Sequence, residues 1–302
     1  MDTSEQTQID ALSESLTDEI VGAVGLPKTR VNHWIFKKLF HNVTDRMAAI
    51  GIPFDRLVRE EGLAAASRWA LSLFCHPPKN RGVENIPANG PLFVISNHPG
   101  AYDALAIFSL LERKDVHWVA SEIPFLDLLP DTRRLILFSS RTDSTKRMLV
   151  FRNIILHLKQ GGTMVYFGSG HRDPDPAVYP GSEAAIDGWL NIIDVLYRVV
   201  PGLRILPAFV SGVVTKKWAT HPITRLRKEQ IDRHRLAEFG QVITQLMHPG
   251  AFYATPALSF GKPYSESDLH QGSPDGTLQK AIIHHGKDLY KEHIREFECA
   301  YP

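Results

Sequence analysis

A histidine and an aspartate five residues apart stand directly after a short apolar run of the sequence. The run covers residues 92–95, is rich in β-branched and aromatic side chains and is closed by turn residues on both sides, so it predicts a buried strand. His98 and Asp103 then lead into a second apolar run, which predicts a helix. An imidazole whose tautomer is fixed by a carboxylate is the usual pair for removing a proton from a hydroxyl. A loop histidine and a capping aspartate remain the alternative for an isolated pair.

Two further polar turns follow later apolar runs that also predict strands. The first contains Arg141, and the second contains Ser169, Gly170 and Arg172. Ligands of open parallel sheets bind at the carboxyl ends of the strands, where these turns would lie together. A guanidinium matches phosphate oxygens in geometry and charge, so the turns predict a phosphate clamp beside His98. For either arginine alone, a solvated surface charge is the alternative.

Strands alternating with helices from residue 81 onward are typical of an α/β domain with a mostly parallel sheet flanked by helices. We predict strands over residues 92–96, 116–120, 135–138, 163–167 and 205–210. We predict helices over residues 103–111, 145–159, 182–200, 228–247 and 277–297. The α/β domain is therefore expected to occupy residues 81–302 and to end in a helix.

The sequence before the sheet pattern predicts an N-terminal helical hairpin. Apolar residues recur every four positions over residues 31–47, and a second helix is predicted from about residue 53 to residue 74. We accordingly divide this part into a mobile lead-in with some helix, residues 1–25, and a helical region, residues 26–80. The hairpin either packs on the core or docks on a membrane, because basic and aromatic side chains accompany its apolar stripe.

Composition limits the classes of partner and the compartment. The 302 residues include 34 Lys and Arg against 33 Asp and Glu, so the net charge of +1 gives no overall attraction to nucleic acid. Two cysteines without a CxxC pattern suit a reducing cytosol. The first 20 residues contain no Lys or Arg, unlike a signal peptide, and no apolar run approaches the ~18 residues that span a bilayer. We expect a cytoplasmic protein that meets a membrane only at its surface.

A basic segment is the other candidate for an anionic partner. Residues 213–228 contain five Lys or Arg and no acidic residue, with Trp218 and Ile223 between them. Such a segment is either a solvated loop or a contact for anionic lipid headgroups or the phosphates of coenzyme A.

The polar turns also resemble the motifs of a known family. Asn97 to Asp103 resembles the first motif, His-x4-Asp, of the glycerophospholipid acyltransferase family, which contains the lysophosphatidic acid acyltransferases. Three later segments follow in the family's order: residues 138–141 resemble the second motif, residues 167–172 the third and residues 206–208 the fourth. The resemblance covers roughly residues 80–265.

This resemblance implies a glycerolipid acyltransferase-like fold and a 1-acylglycerol-3-phosphate O-acyltransferase-like activity. His98 would act as general base, oriented by Asp103, and the activated hydroxyl would attack an acyl thioester of coenzyme A or acyl carrier protein. No cofactor or metal is expected. The implied partners are the thioester and a lysophospholipid-type acceptor. The apolar stripe with its basic neighbours adds the cytoplasmic face of a membrane, met peripherally, to the expected partners. The implied acceptor and phosphate site consists of Arg141, Ser169, Gly170 and Arg172.

The third motif departs from the family pattern. Gly168 and Ser169 stand where the family has Pro and Glu, so a carboxylate expected to touch the acceptor is missing. Glu183 is a candidate replacement that nothing in the sequence positions. The departure leaves open a lipid-binding or scaffold protein that kept the fold without turnover. A serine hydrolase is disfavoured, because residues 167–171 do not form the Gly-x-Ser-x-Gly elbow.

Overall fold

A seven-stranded, mostly parallel sheet organises the computed structural model, which describes residues 3–23, 27, 29–140, 142–189, 191–272 and 277–299. The strands are β1 (Lys79–Arg81), β2 (Leu92–Ser96), β3 (Val116–Ser121), β4 (Ile136–Ser139), β5 (Thr163–Phe167), β6 (Arg204–Ser211) and β7 (Ala257–Phe260). Their order is β1-β7-β6-β2-β5-β3-β4, and only the β6–β7 pair among these is antiparallel. The predicted fold class is confirmed, with β1 and β7 as additions.

Helices cover both faces of the sheet and precede it. They are α1 (Thr3–Ala23), α2 (Arg30–Glu60), α3 (Leu63–Ser72), α4 (Asp103–Leu110), α5 (Pro124–Asp127), α6 (Pro130–Arg133), α7 (Ser144–Lys159), α8 (Ser182–Ala185), α9 (Ile193–Val199), α10 (Lys216–Ala219), α11 (Gln230–Met247), α12 (Glu266–Gly272) and α13 (Leu278–Phe297). Within the described ranges, every helix is too short or too polar to cross a lipid bilayer.

The single helix predicted over residues 182–200 is wrong. This segment forms α8, a 3₁₀ turn over Ile186–Gly188 and then α9. Gly188 lowers helix propensity, and the backbone of Trp189 is extended, at φ −63° and ψ 132°. The extended backbone lets the indole of Trp189 turn inward, where it is only 4% exposed.

The N-terminal helical region is confirmed, but the turn predicted between a helix over residues 31–47 and a second helix from about residue 53 is wrong. Helix α2 continues through Pro53, and α1 and α2 form the hairpin instead. The Ser13 hydroxyl of α1 donates to the Thr44 hydroxyl of α2 at 2.8 Å. On the other side of Pro53, the Asp55 carboxylate accepts from the backbone N–H of Thr132 in α6 at 2.6 Å. Helix α2 is thus bonded to other helices on both sides of Pro53, a residue type that usually ends or kinks a helix.

The central strand β2 explains where the polar turns lie. Its side chains alternate between two cores: Leu92 and Val94 pack on one face of the sheet, and Phe93 and Ile95 on the other. β2 runs between β5 and β6, parallel to both, so the carboxyl ends of all three strands meet at one edge. The turn with His98 therefore lies at the middle of this edge.

A buried histidine in α13 predicts how stability depends on pH. His293 is fully buried between the hydroxyls of Ser211 and Ser259, at 2.7 and 2.9 Å, and burial, with a smaller effect from Arg81, lowers its pKa to about 3. In the unfolded chain this imidazole is protonated below about pH 6.5, whereas in the folded protein it stays neutral down to about pH 3. The free energy of unfolding therefore falls as the pH decreases from 6.5 towards 3. We expect about 2 kcal/mol of this loss between pH 7 and 5.

The measurement is the free energy of unfolding in urea at both pH values. His293→Gln should reduce the pH dependence by that amount, because Gln does not titrate there. The half-buried His117 and the buried His234, whose pKa values burial lowers to about 4 and about 3, keep their contribution in the variant. An unchanged difference between pH 7 and 5 in His293→Gln would contradict the assignment.

Candidate active site

His98 and Asp103 form a hydrogen-bonded pair at the carboxyl end of β2. The Nδ1 atom of His98 lies 2.8 Å from Oδ2 of Asp103. The same carboxylate accepts from the backbone N–H of Gly100 at 2.8 Å and of Ala104 at 2.6 Å, and its side chain is 1% exposed. A carboxylate partner fixes the proton of the neutral imidazole on Nδ1, which leaves Nε2 as a proton acceptor. The side chain of His98 is 28% exposed, so a substrate can reach it.

The turn that carries His98 is tied to its neighbours. Asp173, after β5, accepts from the backbone N–H of His98 at 2.8 Å, and its own N–H donates to the His98 carbonyl at 2.9 Å. Burial raises the pKa of the Asp173 carboxyl. The Asn97 side chain exchanges two hydrogen bonds of 2.8 Å with the backbone of Val210 in β6. The imidazole of His98 stacks on Phe167, with ring centroids 4.3 Å apart.

In the third polar turn, Gly170 lines the cavity that contains His98, whereas Ser169 does not. Gly170 lines the same cavity as His98 and has a φ of +67°, a left-handed conformation that favours glycine. The Ser169 hydroxyl instead donates to the His171 carbonyl at 2.8 Å and is not among the residues that line this cavity. Ser169 therefore stabilises the turn. Its predicted contact with the acceptor stays a prediction.

A cavity of about 560 Å³ is lined by His98 and Asp103 together with further charged side chains, here called its polar end, and with apolar side chains. His98, Arg172, Arg235 and Glu238 lie at the polar end. Apolar side chains from α2, α4, β3, α5 and the residue before α5 line the rest: Phe54, Leu105, Phe108, Trp118, Leu126 and Ile123. This combination suits an amphiphile that presents its polar group to His98 and buries a hydrocarbon chain.

Of the charged residues predicted to contact the acceptor, only Arg172 lines the cavity among those that the structure describes. Arg172 lines the cavity, and its guanidinium pairs with Glu238 of α11. Arg141 lies outside the described residues. Glu183 lines a separate cavity and faces Lys291, at 3.7 Å, so Glu238 is the carboxylate beside Arg172. Sequence reasoning missed Glu238 and its neighbour Arg235, and their only signal was the charge of the predicted helix over residues 228–247.

Comparisons with known proteins give a family match over part of the chain. Residues 78–210 match the family model described as Acyltransferase. Among solved structures, the chain is similar to the crystal structure of the 1-acyl-sn-glycerophosphate (LPA) acyltransferase PlsC from Thermotoga maritima. It is 16% identical, with a TM-score of 0.46, and the match covers 97% of this chain and 99% of that one. No curated protein matches the chain.

The sheet edge, the His-x4-Asp turn and the family match define an acyltransferase domain. The match over residues 78–210 agrees at the level of an acyltransferase with the family predicted from the four motifs. Within the described ranges, no three His, Cys, Asp or Glu side chains are grouped as a metal site would require.

Proposed function

We propose that this protein transfers a fatty acyl group from an acyl thioester to a hydroxyl of a lysophospholipid or glycerol-phosphate-type acceptor. The observation that carries the proposal is the His98–Asp103 pair at the polar end of a cavity that continues between apolar side chains. The pair supplies a proton acceptor, and the apolar part suits an acyl chain. The donor is a thioester of coenzyme A or acyl carrier protein.

The residues support a direct transfer from thioester to acceptor, without an acyl-enzyme. The acceptor hydroxyl gives its proton to Nε2 of His98 while its oxygen attacks the thioester carbonyl carbon. Asp103 stabilises the resulting imidazolium and keeps the ring oriented. The tetrahedral intermediate then breaks its carbon–sulfur bond, the sulfur leaves as a thiol after taking the proton from His98, and an ester remains on the acceptor.

A thiol-release assay with an acceptor screen tests this proposal. The purified protein receives one labelled long-chain acyl-CoA, or the matching acyl carrier protein thioester, with single lysophospholipids, glycerol 3-phosphate or monoacylglycerol. We expect acceptor-dependent release of free thiol and a labelled ester in the mass spectrum. Absence of both with every donor and acceptor would overturn the proposal and favour a lipid-binding or scaffold protein.

We also propose that residues 26–80 and the basic segment 213–228 dock the protein peripherally on the cytoplasmic face of a membrane. Helix α2 exposes Val31 by 66%, Trp34 by 59% and Leu39 by 67%, and the Lys38 ammonium lies 4.6 Å from the Trp34 ring centroid. In the basic segment, Leu226 is 78% exposed among Arg and Lys side chains. Exposed apolar side chains beside cations are suited to an anionic lipid interface.

Flotation with liposomes should show binding to anionic vesicles that weakens as salt is added. Exposed charges are screened over about 8 Å at physiological ionic strength, whereas apolar insertion is not. The double variant Trp34→Ala, Leu39→Ala should bind less at every salt concentration. Leu156→Ala, which removes an exposed leucine of α7 outside the proposed surface, is the matched control. Equal binding to neutral and anionic vesicles at all salt concentrations would exclude the electrostatic contribution.

A further inference from the structure

The charges at the polar end of the cavity are not equally available to a ligand. Among the lining residues that the structure describes, Asp103 faces His98, and Glu238 pairs with Arg172. Arg235 has a weaker partner: its nearest ion-pair contact is Asp232, one helical turn earlier, at 3.6 Å. The side chains of Arg235 and Asp232 are 51% and 46% exposed, and a solvated pair of this kind contributes little.

Helix α11 fixes the position of Arg235 over the cavity. Arg235 and Glu238 are three residues apart and therefore share one face of the helix. Two glutamines farther along α11 anchor it to the sheet edge. Gln241 accepts from the backbone N–H of Thr215 and donates to the Val213 carbonyl, both at 2.8 Å. Gln245 accepts from the hydroxyl of Tyr102, in the turn between His98 and α4, at 2.6 Å.

Because Arg172 is paired with Glu238, Arg235 is the stronger attractor of an anion in this cavity. A phosphate that approaches Arg172 also meets the negative charge of Glu238, so the attraction to the pair is largely cancelled. Arg235 has no buried carboxylate against its guanidinium among the described contacts, and it lines the same cavity. Its fork of N–H donors matches phosphate oxygens.

We propose that Arg235 binds the anionic phosphate of the acceptor headgroup at the mouth of the cavity. The identity of the ligand as an acyl acceptor rests on the proposed function, whereas the anion contact rests on the cavity itself. Arg235→Ala should weaken binding of a phosphate-bearing acceptor roughly 10- to 100-fold, the range for a charge-assisted hydrogen bond. In turnover, the loss should raise KM with little change in kcat, because ground and transition states share the contact.

The test is calorimetric titration of the full chain with a water-soluble, short-chain lysophosphatidic acid and with the monoacylglycerol of the same chain length. Wild type should bind the phosphate-bearing ligand more tightly, and Arg235→Ala should lose that preference while its affinity for monoacylglycerol is unchanged. Arg233→Ala is the matched control, because Arg233 is on the same helix, is exposed and donates to the Arg227 carbonyl outside the cavity. It should bind both ligands as wild type does.

Two outcomes would overturn the inference: Arg235→Ala binds lysophosphatidic acid as tightly as wild type, or it loses affinity for both ligands equally. Absence of lysophosphatidic acid binding to wild type would overturn it as well. Thiol release, measured in parallel, separates this inference from the proposed function. Phosphate-dependent binding that requires Arg235, with no thiol released, supports the anion site and contradicts acyl transfer.

Discussion

His98→Ala is expected to lower the rate of acyl transfer by ~10²–10⁴-fold, the usual effect of losing a general base. The imidazole is the group at the polar end of the cavity whose Nε2 can accept the proton of the acceptor hydroxyl. The fold should be unchanged, since the hydrogen bonds that tie this turn to Asp173 come from the His98 backbone and remain in the variant. Asp103→Asn should have a comparable or milder effect, because it misorients the imidazole without removing it.

Thiol release at saturating donor and acceptor measures this effect, with circular dichroism and the melting temperature to establish that the variants fold. His270→Ala is the control for the loss of an exposed imidazole, because His270 is 64% exposed on α12 and outside the cavity. It should retain wild-type activity. Turnover near the wild-type rate in His98→Ala would contradict the mechanism.

The fold could be predicted where apolar runs are long enough to show the strand pattern. All five predicted strands are present, because each buries apolar side chains in a parallel arrangement. β1 consists of Lys79, Asn80 and Arg81 and carries no apolar signal; its pairing with β7 makes it a strand. β7 in turn is only four residues long. Both β1 and β7 are strands because they pair with neighbouring strands, and the sequence carries no local signal for this pairing.

In the candidate site, contacts between residues close in the sequence could be predicted, whereas contacts between distant residues could not. His98 and Asp103 lie five residues apart in one turn, so their spacing alone indicates the pair. Glu238 is 66 residues beyond Arg172, and only the packing of α11 against the sheet edge brings their charges together. Asp173 could be noticed as a polar residue after the third turn, but its hydrogen bond to the His98 backbone requires the parallel neighbours β2 and β5.

Gly168→Pro, which introduces the residue typical of the family's third motif, is expected to destabilise this protein by ~2 kcal/mol or more, from a lost ladder hydrogen bond and from overpacking. The N–H of Gly168 donates to the Ser96 carbonyl at 2.8 Å and continues the hydrogen-bond ladder between β5 and β2. Proline has no N–H to donate. In addition, a Cβ at position 168 would lie 2.4 Å from Cδ1 of Trp189, well inside contact distance. The buried indole thus occupies the space that a side chain at position 168 would need.

Urea unfolding of five variants, four single and one double, separates the lost hydrogen bond from the contact with Trp189. Gly168→Ala keeps the N–H and introduces only the contact with Trp189, so the difference between the Ala and Pro variants measures the lost hydrogen bond and the proline ring. Gly188→Ala is the control, because a Cβ there has no neighbour within 4 Å. Adding Trp189→Ala to Gly168→Pro should cost less than the sum of the two single substitutions, since residues in contact are not additive. A Gly168→Pro protein as stable as wild type, or strict additivity with Trp189→Ala, would show that the indole does not determine the residue at this turn.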